Sequence, residues 1–442
     1  MRMGVLRAIA VTLLVAGLGN VARGQQQNKA LNSVELYQMQ QMLLDARDEV
    51  KKHYYDPKLN GLDWEARYKE YAAMLPKARN LGEGFRVIAA FLSGLKDSHV
   101  YFIPPDRQNR YDGMYEYALV ADRCFITQVR PKSDADEKVH VGDEILTFDG
   151  FNVNREDYQD LKYFYRVLSP MPADQLVLRA PDGAQRSVVV NRAVAKGKLV
   201  MDLTDDEGTT DLESMVRRSQ NSRHASRPRI VEREDTAIWK LQRFNLDTKE
   251  VDHYIGIARK YKTLILDLRG NPGGYTDTLK DIVGHLFDKD VKIADRVGRK
   301  DSKPMIAKRQ RDLFTGKLIV LVDSGSASAS ELLARVVQLE KRGTVIGDTS
   351  AGAVMESQRY SDSRGAETKI YYNFSVTDAN LIMGDGKSLE KVGVTPDEVI
   401  LPTGADLAAG RDPALARAAD LAGIKLDAAE AGKLFPYEWA PI

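Results

Sequence analysis

Apolar residues change their spacing three times along the chain, and each change marks a different kind of element. From 29 to 95 they keep near-helical spacing: Leu36, Met39, Met42, Leu43 and Val50 share one face, Trp64 and Tyr68 another, and Phe85, Val87, Ile88, Phe91, Leu92 and Leu95 a third. Three short helices joined by polar turns are expected, closing at Asp97-Ser98-His99 where the pattern turns extended. From 112 to 196 short apolar runs (117–120, 125–129, 144–148, 175–179, 187–190) alternate with turn residues such as Pro181-Asp182-Gly183, with one helical stretch over 155–165. That is a β domain. From 236 to 402 continuous apolar runs (237–241, 264–268, 318–322, 344–346) alternate with amphipathic ones (249–261, 276–286, 331–340). Strands without alternation are buried on both faces, so a mostly parallel sheet covered by helices is predicted. Residues 403–442 read as a helical tail.

The expected architecture is therefore a multidomain α/β protein. It has a leader at 1–24, a helical bundle at 25–105, a β domain at 112–198 and a polar linker at 199–235. An α/β core at 236–402 and the tail at 403–442 complete it. The leader follows from Arg2 and Arg7 before an apolar stretch to Leu18 and small residues at Ala22 and Gly24, the pattern of a secretory signal peptide. It implies export to the periplasm or beyond, with no stable membrane span once the leader is removed.

Composition removes several chemistries. Lys plus Arg number 64 against 63 Asp plus Glu, a net charge of +1, and the basic part of the linker has no aromatics, so nothing points to nucleic acid. The single cysteine, Cys124, sits in an apolar run and reads as a core residue. There is no HExxH, no phosphate loop with lysine and no ligand cluster, so neither metal nor cofactor is implied.

The chemistry-bearing stretch is Leu318–Val354: strand, a turn with Ser326, Ser328 and Ser330, then a helix. A serine at a helix start lies beside unspent backbone N–H groups. Ser328-Ala329-Ser330-Glu331 is equally a capping box, and spacing does not choose among the three serines. The turn Gly270-Asn271-Pro272-Gly273-Gly274 offers N–H groups to an oxyanion or serves as a tight turn. Of six histidines, His99 alone lies at a helix-to-strand transition flanked by polar residues.

These pieces together resemble the C-terminal processing (tail-specific) peptidase family, with tricorn protease as its divergent relative. They are Asp97–Phe102, Leu266–Gly274, Gly325–Glu331 and Gly393–Asp397, in the family's order, plus the block Ala135–Gly150, which resembles a PDZ domain. The resemblance implies a serine endopeptidase acting on peptide or protein substrates. Ser328 would be the nucleophile. The N–H of Ala329 and one from Gly273 or Gly274 would form the oxyanion site. The PDZ-like domain would bind a substrate C-terminus near Gly113, Met114 and Tyr115. A homo-oligomer is compatible with it. The common members carry a lysine 25 positions after the serine, and here that position is Ala353. Two readings follow. In the tricorn-type arrangement His99 is the base, with Ser98 and Glu390 completing the relay. In the alternative, the chain is an inactive peptide-binding scaffold.

Overall fold

The computed structural model describes residues 31–105, 109–168, 170–196, 227–364 and 370–439. The expected leader and most of the expected linker lie outside them.

The chain opens with three helices: α1 (Ser33–His53), α2 (Trp64–Ala72) and α3 (Leu81–Leu92). Each starts at a side chain that accepts from a first-turn N–H: Asn32, Asp63 and Asn80. At α1 the box is reciprocal, Glu35 N–H to Asn32 at 2.8 Å and Asn32 N–H to Glu35 at 2.9 Å. Trp64 packs on Phe91 with ring centroids 4.1 Å apart.

The first strands are β1 (Tyr101–Ile103) and β2 (Asn109–Asp112). The β domain follows with β3 (Tyr115–Val120), β4 (Arg123–Val129), β5 (Glu144–Phe148) and β6 (Phe151–Asn152). Then come α4 (Tyr158–Tyr163), β7 (Ala173–Arg179), β8 (Gln185–Asn191) and β9 (Ala193–Lys196). β3-β4-β5-β7-β8 form one antiparallel sheet with β6 on β5, while β9 pairs with β2. Cys124 is buried in this sheet, as expected.

The core contains β10 (Arg229–Arg233), β11 (Thr236–Lys240), α5 (Thr248–Ala258), β12 (Thr263–Asp267), α6 (Thr276–Leu286), β13 (Val291–Gly298) and β14 (Ser302–Ala307). It continues through β15 (Lys317–Val322), α7 (Ala329–Leu339), β16 (Thr344–Gly347), β17 (Met355–Arg364), β18 (Ile370–Met383) and β19 (Glu398–Val399). The tail adds α8 (Gly404–Ala408), α9 (Pro413–Ala422) and α10 (Ala428–Ala431). The main sheet runs β10-β11-β12-β15-β16-β19, parallel from β11 onward. Leu264, Leu266 and Val320 meet α5, α6 and α7 on one face. Ile265, Ile319 and Leu321 meet Leu415 and Ala418 of α9 on the other. Both faces are covered, which is why these strands read as unbroken apolar runs.

Three features depart from the sequence reading. The expected linker ends early, because Arg229–Arg233 is an antiparallel edge strand of the main sheet. A second sheet, unforeseen, has the order β1-β18-β13-β14 with β17 on β18. The helical segment does not close a core of its own either. Tyr372, Phe374 and Val376 of β18 share one buried cluster with Met39, Phe91 and Phe102. The pairing of β1 with β18 sets Tyr101 opposite Ser375, which places Ser98 and His99 at the main domain.

Candidate active site

The three serines of the turn have different fates. Ser326 Oγ donates to Leu268 O at 2.8 Å and Ser330 Oγ to Asn271 O at 2.9 Å, and both residues are fully buried. Their hydroxyls fasten the serine turn to the glycine turn. Ser328 remains. It is partly exposed and holds φ +54°, ψ −116° as it starts α7. This region suits glycine, and a serine there stores backbone strain. Strain at a strand-to-helix turn is the geometry that presents a nucleophilic hydroxyl.

The glycine turn lies directly against it. A Cβ on Gly273 would stand 2.7 Å from Ser328 Cβ and 2.9 Å from Ala329 N, and Gly273 has φ +89°, so nothing larger fits. Gly273 N–H is spent on Asn271 Oδ1 at 2.8 Å. Gly274 is bridged to Phe244 through its neighbours: Phe244 N–H donates to Gly273 O at 3.0 Å and Tyr275 N–H to Phe244 O at 2.6 Å. Among the described residues the N–H groups of Gly274 and Ala329 have no acceptor.

Behind Ser328 stands Glu331, fully buried. One carboxylate oxygen accepts from Ser350 Oγ (2.6 Å) and Gly352 N–H (2.8 Å), the other from Ala353 N–H and Ser328 N–H (both 3.0 Å). Burial pushes Glu331 up to about 7 against the pull of these donors. The sequence reading had met Glu331 only as a helix-cap partner. Ser328 N–H also donates to Ala353 O at 2.9 Å, so Ala353 is a direct neighbour of the serine.

One residue further along this segment, Val354 N–H donates to Glu390 Oε2 at 3.0 Å. Glu390 in turn accepts from Ser98 N–H and Ser98 Oγ, both at 2.8 Å, and Ser98 Oγ lies 2.8 Å from His99 Nδ1. Asp97 accepts from His99 N–H (2.8 Å), Thr377 Oγ1 (2.7 Å) and Tyr54 Oη (3.1 Å), fixing the loop to β18 and α1. The fold thus brings Ser98, His99, Glu390, Ala353 and Ser328 around one segment. It does not join His99 to Ser328 by a hydrogen bond among the described residues. Burial lowers the His99 pKa, opposed by Asp97 and Glu390 and assisted by Lys391. Lys391 is exposed, with Nζ 3.9 Å from Glu390.

The three residues expected to bind a peptide end lie at two adjacent cavities, Gly113 and Tyr115 at one and Met114 at the other. Gly113 borders a cavity of about 160 Å³ and Met114 a neighbouring one of about 380 Å³. The Tyr115 ring is buried, its hydroxyl donating to Asp174 at 2.9 Å.

Two family models match parts of the chain. Residues 235–400 match peptidase family S41, and residues 37–93 match the tricorn protease C1 domain. The carboxy-terminal processing protease CtpB of Bacillus subtilis is 32% identical over 145 residues, 31% of this chain and 28% of that one. A carboxyl-terminal-processing protease of Picosynechococcus is 23% identical over 375 residues, covering 82% of this chain and 83% of that one. The crystal structure of mature CPAF superposes with a TM-score of 0.63 at 15% identity, over 85% of this chain and 95% of the other, which shows a shared fold. The match to peptidase family S41 takes in the main sheet from β11 to β19, together with Ser328 and Glu390. It spans 28 to 37% of the length of four of the curated relatives it matches.

Proposed function

We propose that this protein is an exported serine endopeptidase of the C-terminal processing type, with Ser328 as nucleophile and His99 as base. The observation that carries the proposal is the hydrogen-bonded series Glu390–Ser98–His99, docked through Val354 beside Ser328. A carboxylate only accepts, so Ser98 gives its one hydroxyl proton to Glu390 and must accept from Nδ1–H of His99. That tautomer leaves Nε2 with its lone pair free. As Ser328 Oγ bonds to the substrate carbonyl carbon, its proton passes to Nε2 and the carbonyl pair becomes an oxyanion. Gly274 N–H and Ala329 N–H are the unspent donors for that charge, each worth about 3 kcal/mol in comparable sites. Collapse breaks the C–N bond, the amine leaves with the Nε2 proton, and water repeats the sequence on the acyl-enzyme. The β domain, with its PDZ-like block, would hold an extended substrate C-terminus by adding it to an open sheet edge.

A fluorophosphonate probe tests this. Wild-type protein should be labelled on Ser328. Labelling should vanish in Ser328→Ala and slow by about 10²–10⁴ in His99→Ala. The second reading, an inactive peptide-binding scaffold, is favoured by Ala353 and by the missing Ser328–His99 bond. Intact peptide binding with no labelling under any condition would establish it instead.

A further inference from the structure

Residues 435–439 do not leave the molecule after α10. Arg229 Nη1, on the edge strand β10, donates to Pro436 O at 2.7 Å, and its guanidinium stands 5.4 Å from the Phe435 ring centroid. Arg227 pairs with Glu438 at 3.0 Å. The next aromatics cross to the β domain. Tyr437 lies beside Glu116, Arg166 and Asp112, all bordering the smaller cavity, and burial raises its hydroxyl pKa. The Arg130 guanidinium stands 5.8 Å from the centroid of Trp439, and Arg130 borders the larger cavity together with Met114. Glu116 is on β3, whose one sheet neighbour among the described strands is β4. An edge strand with unpaired backbone groups is where an added peptide strand pairs.

We infer that residues 435–439 are an intramolecular competitor for the peptide-docking edge of the β domain. Tyr437 and Trp439, two residues apart, fall at the rims of adjacent cavities, as alternate side chains of an extended ligand do. Exposed ion pairs and a half-exposed tyrosine hold weakly, so the segment is displaceable. A peptide with aromatic residues two apart, flanking an acidic one, is the ligand class that copies it. The inference rests on the reading that the β domain binds peptides, and it does not depend on Ser328 chemistry.

The test uses the full chain and a fluorescein-labelled, C-terminally amidated peptide of residues 433–439. The variant Tyr437→Ala/Trp439→Ala should bind it at least tenfold more tightly than wild type, and adding Arg130→Ala should remove most of that gain. A second measurement needs no variant. Trp64 and Trp239 are 4% and 0% exposed, so acrylamide quenching reports mainly on Trp439. Unlabelled peptide carrying Phe in place of Trp439, and so without fluorescence of its own at this wavelength, should raise that quenching in wild type at saturating concentration. Equal affinity, or no binding, in both proteins, with quenching unchanged, would overturn the inference. Fluorophosphonate labelling of the same samples reads the peptidase proposal separately.

Discussion

At the scale of single residues, Ser328 is the informative case. Its neighbours Ser326 and Ser330 have identical chemistry and equivalent positions in the alternating sequence. What separates them is where each hydroxyl ends up, two on carbonyls of the glycine turn and one at a strained corner. Replacing Ser328 with glycine should therefore abolish labelling while raising stability by about 1 kcal/mol, because glycine adopts φ +54° without strain. Urea unfolding compares the two proteins. Glu331 predicts the opposite. Glu331→Gln strands buried N–H donors, so unfolding free energy should fall by about 2 kcal/mol and labelling should drop with it. The His99 shift has a sign that kinetics can read. Its pKa lies below the ordinary 6.5 because burial disfavours the imidazolium, so the base form persists to lower pH and the acid limb of activity should fall below 6.5. Glu390 opposes that shift. Glu390→Gln should move the acid limb lower still, on top of any loss of rate, and a pH–rate profile of the variant decides it. The sequence singles out Ser98 and Glu390 only through family resemblance, and His99 also by its place at a helix-to-strand transition. No local pattern could place residue 390 on residue 98, since the contact depends on how β1 lies against β18.

At the scale of elements, legibility followed burial. Strands β11, β12, β15 and β16 carry unbroken apolar runs because helices cover both faces, and they were read within a residue or two. β17 and β18 were invisible. Met355–Arg364 is mostly polar, and the alternation in Ile370–Met383 changes phase midway, where Phe374, Ser375, Val376 and Thr377 are all buried. Such strands are specified by their partners more than by their own composition. The same holds for the ion pairs that end β12. Asp267 is fully buried and held well below the usual carboxylate range, chiefly by Arg269 and Lys240 against the cost of burial. Arg269 also reaches Asp412 at the start of α9, both oxygens at 2.8 Å. Removing one member leaves a buried charge without its partner. Arg269→Ala should cost about 3–5 kcal/mol in chemical denaturation and loosen the tail helices from the sheet.

At the scale of the whole molecule, one arginine gathers several of the bonds between the β domain and the core. Arg155 donates to Asp348 (2.8 Å), Thr349 O (3.0 Å) and Ala121 O (3.0 Å), and Asp348 also accepts from Ala121 N–H at 2.8 Å. The segment it grips continues into Ser350, Gly352 and Ala353, the donors to Glu331. Arg155→Ala should speed amide exchange across residues 348–353 with little change in α1–α3, as hydrogen-exchange mass spectrometry would show. Composition shifts separate helical, β and α/β stretches along the chain, yet they do not mark separate cores, because one buried cluster runs from α1 through β18 into the β domain. The β1–β18 register has a consequence in time as well as space. Tyr101 meets Ser375, and Ser98 waits for Glu390. A ribosome releases the chain from its N-terminus, so the histidine emerges nearly three hundred residues before the carboxylate that orients it. Ser328 is likewise made before Ala353 and Glu390, which complete its surroundings. On the proposed mechanism a nascent chain is therefore inert until Glu390 has been made and β18 lies against β1.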